Sequence, residues 1–153
     1  LTPNSSLLTP NSSIQNLKSK IQNHVMSPEE IESIVNSYLE NISAMNAEGW
    51  VDNFAKDALS YDPVGEPPTL VHEGFQEFIG QLKAIFTKFE ATKDSIFIAG
   101  NEAALKWTMR GVSKTQKTVT CQGITVFEFN DAGKIQTTRA YWNPKTMIAQ
   151  LRS

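Results

Sequence analysis

Two side chains in this sequence combine into chemistry: a carboxylate, Asp62, and a phenol, Tyr38. Asp62 ends a short apolar strand and runs directly into the turn Pro63-Val64-Gly65. Aspartate is disfavoured in strands. Pro63 both terminates the strand and steers the residue before it into extended backbone, so the carboxylate is aimed by a stiff chain. A turn-starting aspartate that bonds its own backbone would look the same. Tyr38 falls in the middle of an apolar helical stripe, which makes it a buried hydroxyl in search of an acceptor. In an apolar pocket, desolvation raises a carboxyl pKa and makes the ionised group a better base. A tyrosine beside it would donate a hydrogen bond to an enolate oxygen as that oxygen gains charge. The pair therefore suits proton abstraction next to a carbonyl.

The elements that must position these groups are legible from pattern. Ser27-Pro28-Glu29-Glu30 has the form of a capping box with proline at the first helical position. The helix it opens carries Ile31, Ile34, Val35, Tyr38, Leu39, Ile42 and Met45 on one face. After Asn46-Ala47-Glu48-Gly49, a second short helix is expected to carry Trp50, Val51 and Phe54 into the strand that ends at Asp62. Gly65 to Pro68 reads as a turn. A third helix from about Gly74 has Phe75, Phe78, Ile79, Leu82, Ile85, Phe86 and Phe89 at three- and four-residue steps.

From about Asp94 the period becomes alternating, and the rest reads as long antiparallel strands. One carries Ala103, Leu105, Trp107 and Met109 on one face. The next carries Val119, Cys121, Gly123, Thr125, Phe127 and Phe129, and Asn130-Asp131-Ala132-Gly133 turns the chain into a last strand. On that strand Gln136, Thr138, Ala140 and Trp142 are expected to oppose Ile135, Thr137, Arg139 and Tyr141. Asn143-Pro144 caps a terminal helix. Helices followed by an antiparallel sheet make an α+β domain whose curved sheet folds around the helices as an open cone. Residues 27–153 form that domain. Residues 1–26, which open with the repeated Leu-Thr-Pro-Asn-Ser-Ser, read as a leader with a short amphipathic helix over 14–25.

These residues resemble the nuclear-transport-factor-2-like (NTF2-like) superfamily, and within it the Δ5-3-ketosteroid isomerase and SnoaL-like branches. The resemblance covers roughly Pro28 to Trp142. It rests on Tyr38, Asn46-Ala47-Glu48-Gly49, Phe54, Asp62-Pro63-Val64-Gly65, Asn101-Glu102-Ala103-Ala104, the run from Phe127 to Lys134, and Arg139-Ala140. The ungapped spacing between Tyr38 and Asp62 also matches. It implies a mostly apolar small-molecule pocket, with Asp62 as the base that shuttles a proton and Tyr38 as the principal oxyanion donor. The isomerase's second donor, a protonated aspartic acid, corresponds to Thr125. A threonine can still donate one hydrogen bond but is a weaker acid. The segment from Asp62 to Gly74 is longer than in the isomerase, which alters the cavity mouth.

Composition narrows the alternatives. A net charge of -2 from 14 basic and 16 acidic residues, with no Lys/Arg block, gives no electrostatic footprint for nucleic acid. Cys121 is the single cysteine, so no intramolecular disulfide can form, and a reducing compartment fits. Without a bilayer-length apolar run or a signal-peptide pattern, the expected protein is soluble and cytoplasmic, with no membrane partner. His24 and His72 lie far apart in sequence and form no metal-ligand pattern. Phe54 and Thr125 are expected to line the pocket, and Trp107, Met109 and Trp142 either line it or only fill the core. Arg110 and Arg139 could meet an anion but fit a solvated sheet surface better. The expected function is cofactor-free proton transfer on a hydrophobic steroid, polyketide or terpenoid carbonyl compound by an isomerase- or cyclase-like homodimer. A non-catalytic binding or dimerisation module of the same fold is the alternative.

Overall fold

The protein, in a computed structural model, is described over residues 25–153. The repeated segment and the helix expected over 14–25 fall outside this range, save Val25. Helix α1 spans Pro28–Ser43, and both arms of its capping box are formed: Glu30 N donates to Ser27 Oγ (3.1 Å) and Ser27 N to Glu30 Oε2 (3.2 Å). Ile31, Val35, Leu39 and Ile42 form its buried stripe. Met26, just before the cap, already packs on the core. The short α2 (Ala47–Val51) is capped by the Asn46 side chain, which accepts from Gly49 N. Phe54 is not on this helix; it is the first residue of strand β1 (Phe54–Tyr61).

A two-residue strand β2 (Thr69–Leu70), too short to leave a period in the sequence, pairs antiparallel with β1. Helix α3 then runs Val71–Ile85, starting three residues before the expected Gly74. Four strands follow: β3 (Phe86–Ala99), β4 (Glu102–Ser113), β5 (Thr118–Phe129) and β6 (Ile135–Tyr141). Helix α4 (Pro144–Arg152), capped by Asn143, ends the chain. The six strands form one sheet in the order β2-β1-β6-β5-β4-β3, antiparallel throughout except for β1 beside β6. This is the α+β cone expected from the sequence.

Strand β3 begins eight residues earlier than its alternation suggests, and two β-bulges explain why. A register shift between Phe86 and Lys88 puts Phe86 and Phe89 both toward the core, three residues apart, which imitates a continuing helix. A second shift between Lys93 and Ser95 moves the core-facing set from Ala91 to Ile96 and Ile98 and leaves Phe97 outside. A third, opposite Glu128 and Phe129, brings Ile135 to the same buried side as Thr138 and Ala140, where strict alternation puts it on the opposite face. Each extra residue inverts the parity of the strand beyond it. The core lies between the concave face of the sheet and helices α1 and α3, with Phe127, Phe129, Leu105 and Ile79 fully buried.

Candidate active site

A cavity of about 550 Å³ opens between the sheet and the helices. Tyr38, Asp62, Trp107, Met109, Thr125 and Trp142 all line it, so the structure brings together residues from α1, the end of β1, β4, β5 and the end of β6. Phe54 does not line it. Its ring is buried beneath Tyr38 and Trp50, with centroids 6.0 and 4.7 Å away, and serves as their floor.

Tyr38 is held on three sides by rings. Phe127 meets it edge-on at 5.0 Å, and Trp50 and Phe54 lie at 5.7 and 6.0 Å. Its helix is tied to β3 by Ser43, whose Oγ accepts from Ala91 N at 2.9 Å. Burial, and secondarily the negative charge of Asp62, push the Tyr38 pKa well above the usual phenol range, so the group is a proton donor at any physiological pH. The Trp50 indole N–H opposes that rise in part. It is buried and lacks a partner in hydrogen-bond geometry, so its effect on the Tyr38 oxygen is a dipole contact and not a formed bond.

Asp62 follows directly on β1. The Asp62–Pro63 peptide is cis, and Val64 N donates to Ala140 O at 2.8 Å, which fastens the Asp62 loop to β6. Trp142, just beyond β6, donates from Nε1 to Asp62 Oδ1 at 2.6 Å. The carboxylate was expected in a nearly dry setting, yet its side chain remains accessible to water. It lies in a concavity, on an open wall with protein on most sides. That partial desolvation raises its pKa, and the Trp142 hydrogen bond limits the rise.

Thr125 is 4% exposed, and its Oγ1 accepts from Trp107 Nε1 at 2.9 Å. Most of the remaining wall is apolar, with Ser60, Thr69, Glu77 and Gln81 as its polar members, and it was only partly foreseen. Helix α3 contributes Phe75, Phe78, Leu82 and Ile85 from the stripe visible in its periodicity, while Pro144 and Met147 of α4 close the far side without any local signal. Among the described residues lining the cavity the only charged groups are Asp62 and Glu77, and no lysine, arginine or histidine joins them. Arg139 is on the outer sheet surface, over the Tyr61 ring and 3.7 Å from Glu128, and Arg110 is exposed. His72 bonds Phe54 O at 3.1 Å, a structural contact. No three His, Cys, Asp or Glu side chains converge as a metal site among the described residues.

A family model described as "SnoaL-like domain" matches residues 35–137. Among solved structures, the epoxide hydrolase/cyclase-like enzyme SalBIII, described as having a role in pyran ring formation in the polyether salinomycin, superposes with a TM-score of 0.68. The two are 18% identical, and the match covers 77% of this chain and 94% of that one.

Proposed function

The chain belongs to the SnoaL-like family of the NTF2-like superfamily, and from that premise we propose that it catalyses cofactor-free proton transfer on a hydrophobic carbonyl compound, a steroid, polyketide or terpenoid. Asp62 is the general base. Tyr38 donates to the oxygen on which charge develops. The observation that carries this reading is the pairing of Asp62 with Tyr38 on one mostly apolar cavity to which no described residue contributes a basic side chain. An unopposed carboxylate is free to take a proton, whereas one locked to an arginine is not. A phenol that stays protonated across the physiological range stabilises a developing oxyanion by hydrogen bonding without competing for the proton.

The steps follow from these positions. Substrate enters with its apolar body against the α3 aromatics and its carbonyl toward Tyr38. Asp62 removes a proton from the carbon next to the carbonyl, and the dienolate or enolate is held by Tyr38. The proton returns at a different carbon in an isomerase; in a cyclase the enolate carbon adds to a second carbonyl of the same substrate, whose C=O π bond opens and whose oxygen takes back the proton held by Asp62. That SalBIII, on the same fold, is described as cyclase-like keeps the second outcome in view. The working unit is a homodimer in a reducing, aqueous compartment. Phe97, Ile124 and Tyr141, exposed on the outer sheet face, support a contact between copies. No helix among the described residues is long and apolar enough to cross a membrane.

A ligand-carrying module is favoured instead by two observations, the alcohol at Thr125 and the water access of Asp62. Steady-state isomerisation of a panel of β,γ-unsaturated ketones, run with the Asp62→Asn variant alongside, separates the two. Turnover that vanishes with the amide supports the enzyme. Saturable binding of the same ketones without turnover supports the carrier.

A further inference from the structure

Gly123 stands in the interior of β5, where glycine weakens a strand and usually marks a close approach by another group. That group is Trp107, its direct cross-strand partner. A Cβ at residue 123 would lie 2.5 Å from Trp107 Cζ2, 2.9 Å from Cη2 and 2.9 Å from Trp142 Cβ, none of them tolerable distances. The missing methyl thus lets the Trp107 indole lie against the strand. From that seat the ring reaches diagonally to Thr125, two residues along β5, and its N–H bonds the hydroxyl oxygen at 2.9 Å. The same indole meets Trp142 edge-on at 6.1 Å and 67°, and Trp142 in turn holds Asp62.

We propose that Gly123, Trp107 and Trp142 form a positioning device that fills an acceptor site on the Thr125 hydroxyl, and that Thr125 is in consequence a donor to a ligand's acceptor oxygen. A threonine hydroxyl has one proton and two lone pairs. Trp107 occupies an acceptor site on Oγ1, and the described residues offer Thr125 Oγ1 no acceptor for its own proton. That proton is available to the cavity. Donation by Trp107 also polarises the hydroxyl and strengthens the bond it makes onward. Ligands carrying a carbonyl, ether or epoxide oxygen are selected over hydrocarbons of the same shape, because the bare hydrocarbon leaves both Thr125 and Tyr38 unpaired. The inference rests on the cavity used in the proposed function but not on its reaction.

The test uses two probes matched in size and shape, 2-acetonaphthone and 2-isopropenylnaphthalene, with Kd values from equilibrium dialysis against the full chain. The ratio of the two Kd values isolates the oxygen and cancels general packing loss. Wild type should favour the ketone. Thr125→Val, Trp107→Phe and Gly123→Ala should each lower that preference by roughly threefold to tenfold, the worth of one hydrogen bond. Thr125→Ser should retain most of it, and Tyr38→Phe should lower it independently. Gly123→Ala displaces the indole without altering either bonding residue, and Trp107→Phe removes the same bond should the alanine variant fold poorly. A ratio unchanged in Thr125→Val, or lowered there but unchanged in both Trp107→Phe and Gly123→Ala, overturns the inference. So does a wild type with no preference. Asp62→Asn should leave the ratio unchanged while removing turnover, so failure of the reaction and failure of this device are read separately.

Discussion

Replacing Asp62 by asparagine isolates proton acceptance from everything else the side chain does. The Trp142 N–H, 2.6 Å from Oδ1, still finds an acceptor in the amide oxygen, so the loop fastened by Val64 to β6 keeps its place. Tyr38 and Thr125 are untouched, and product affinity should stay within about threefold, well under the worth of one charged hydrogen bond. Only the base is lost. Positioned general bases contribute roughly 10²–10⁴ in rate, so kcat on 5-androstene-3,17-dione, followed by absorbance of the conjugated enone, should fall by that factor, about 3–5 kcal/mol. In the wild type kcat/KM should rise with pH through an ionisation above the ordinary carboxyl value of 3.8, because concave burial raises the Asp62 pKa. That limb should be absent in any residual activity of the variant. Stability moves the other way. A carboxyl whose folded pKa is raised favours folding below 3.8 and loses that contribution as pH rises through the folded pKa. At neutral pH the asparagine variant should therefore melt at or slightly above the wild type, with the gap closing in acid; water access to the cavity keeps it small. A kcat/KM within threefold of wild type, or an unchanged pH limb, would refute the assignment of Asp62 as base.

Three further outcomes are expected from the geometry. Thr125→Asp alone should raise isomerase activity only weakly, because the Trp107 N–H that now bonds Thr125 would stabilise the ionised form of the new carboxyl; adding Trp107→Phe should raise it further, toward the roughly 10²–10³ that one oxyanion donor is worth, and equal rates for the single and double variants would contradict this. Ser27→Ala removes one arm of the α1 capping box and should cost about 1 kcal/mol by urea denaturation, with an unchanged m-value. Deleting residues 1–24 should shift Tm by no more than a few degrees, since Met26, the first of the described residues that packs on the core, is retained; a drop of ten degrees or more would make the deleted segment part of the fold.

Local chemistry alone determined much of this protein. The capping box at Ser27, the proline after Asp62, the alternation through β4 and β5 and the Asn143 cap are interactions between near neighbours, so the sequence displays them directly. The placing of Tyr38 and Asp62 on one cavity was also accessible, through apolar periodicity and the resemblance that their spacing carries. What only the tertiary structure decided depends on partners distant in the chain. The bulges in β3 and opposite β6 reset which face each later residue takes, and a bulge is specified by the neighbouring strand as much as by its own residues. Phe86 and Phe89 therefore imitated a helix they do not belong to. The water access of Asp62 comes from the shape of the cavity, and the roles of Thr125 and Gly123 from an indole on another strand. A hydroxyl's choice between donating and accepting is made by whatever stands within about 3 Å of it, and residues that meet at that distance across a sheet leave no spacing in the sequence to be read.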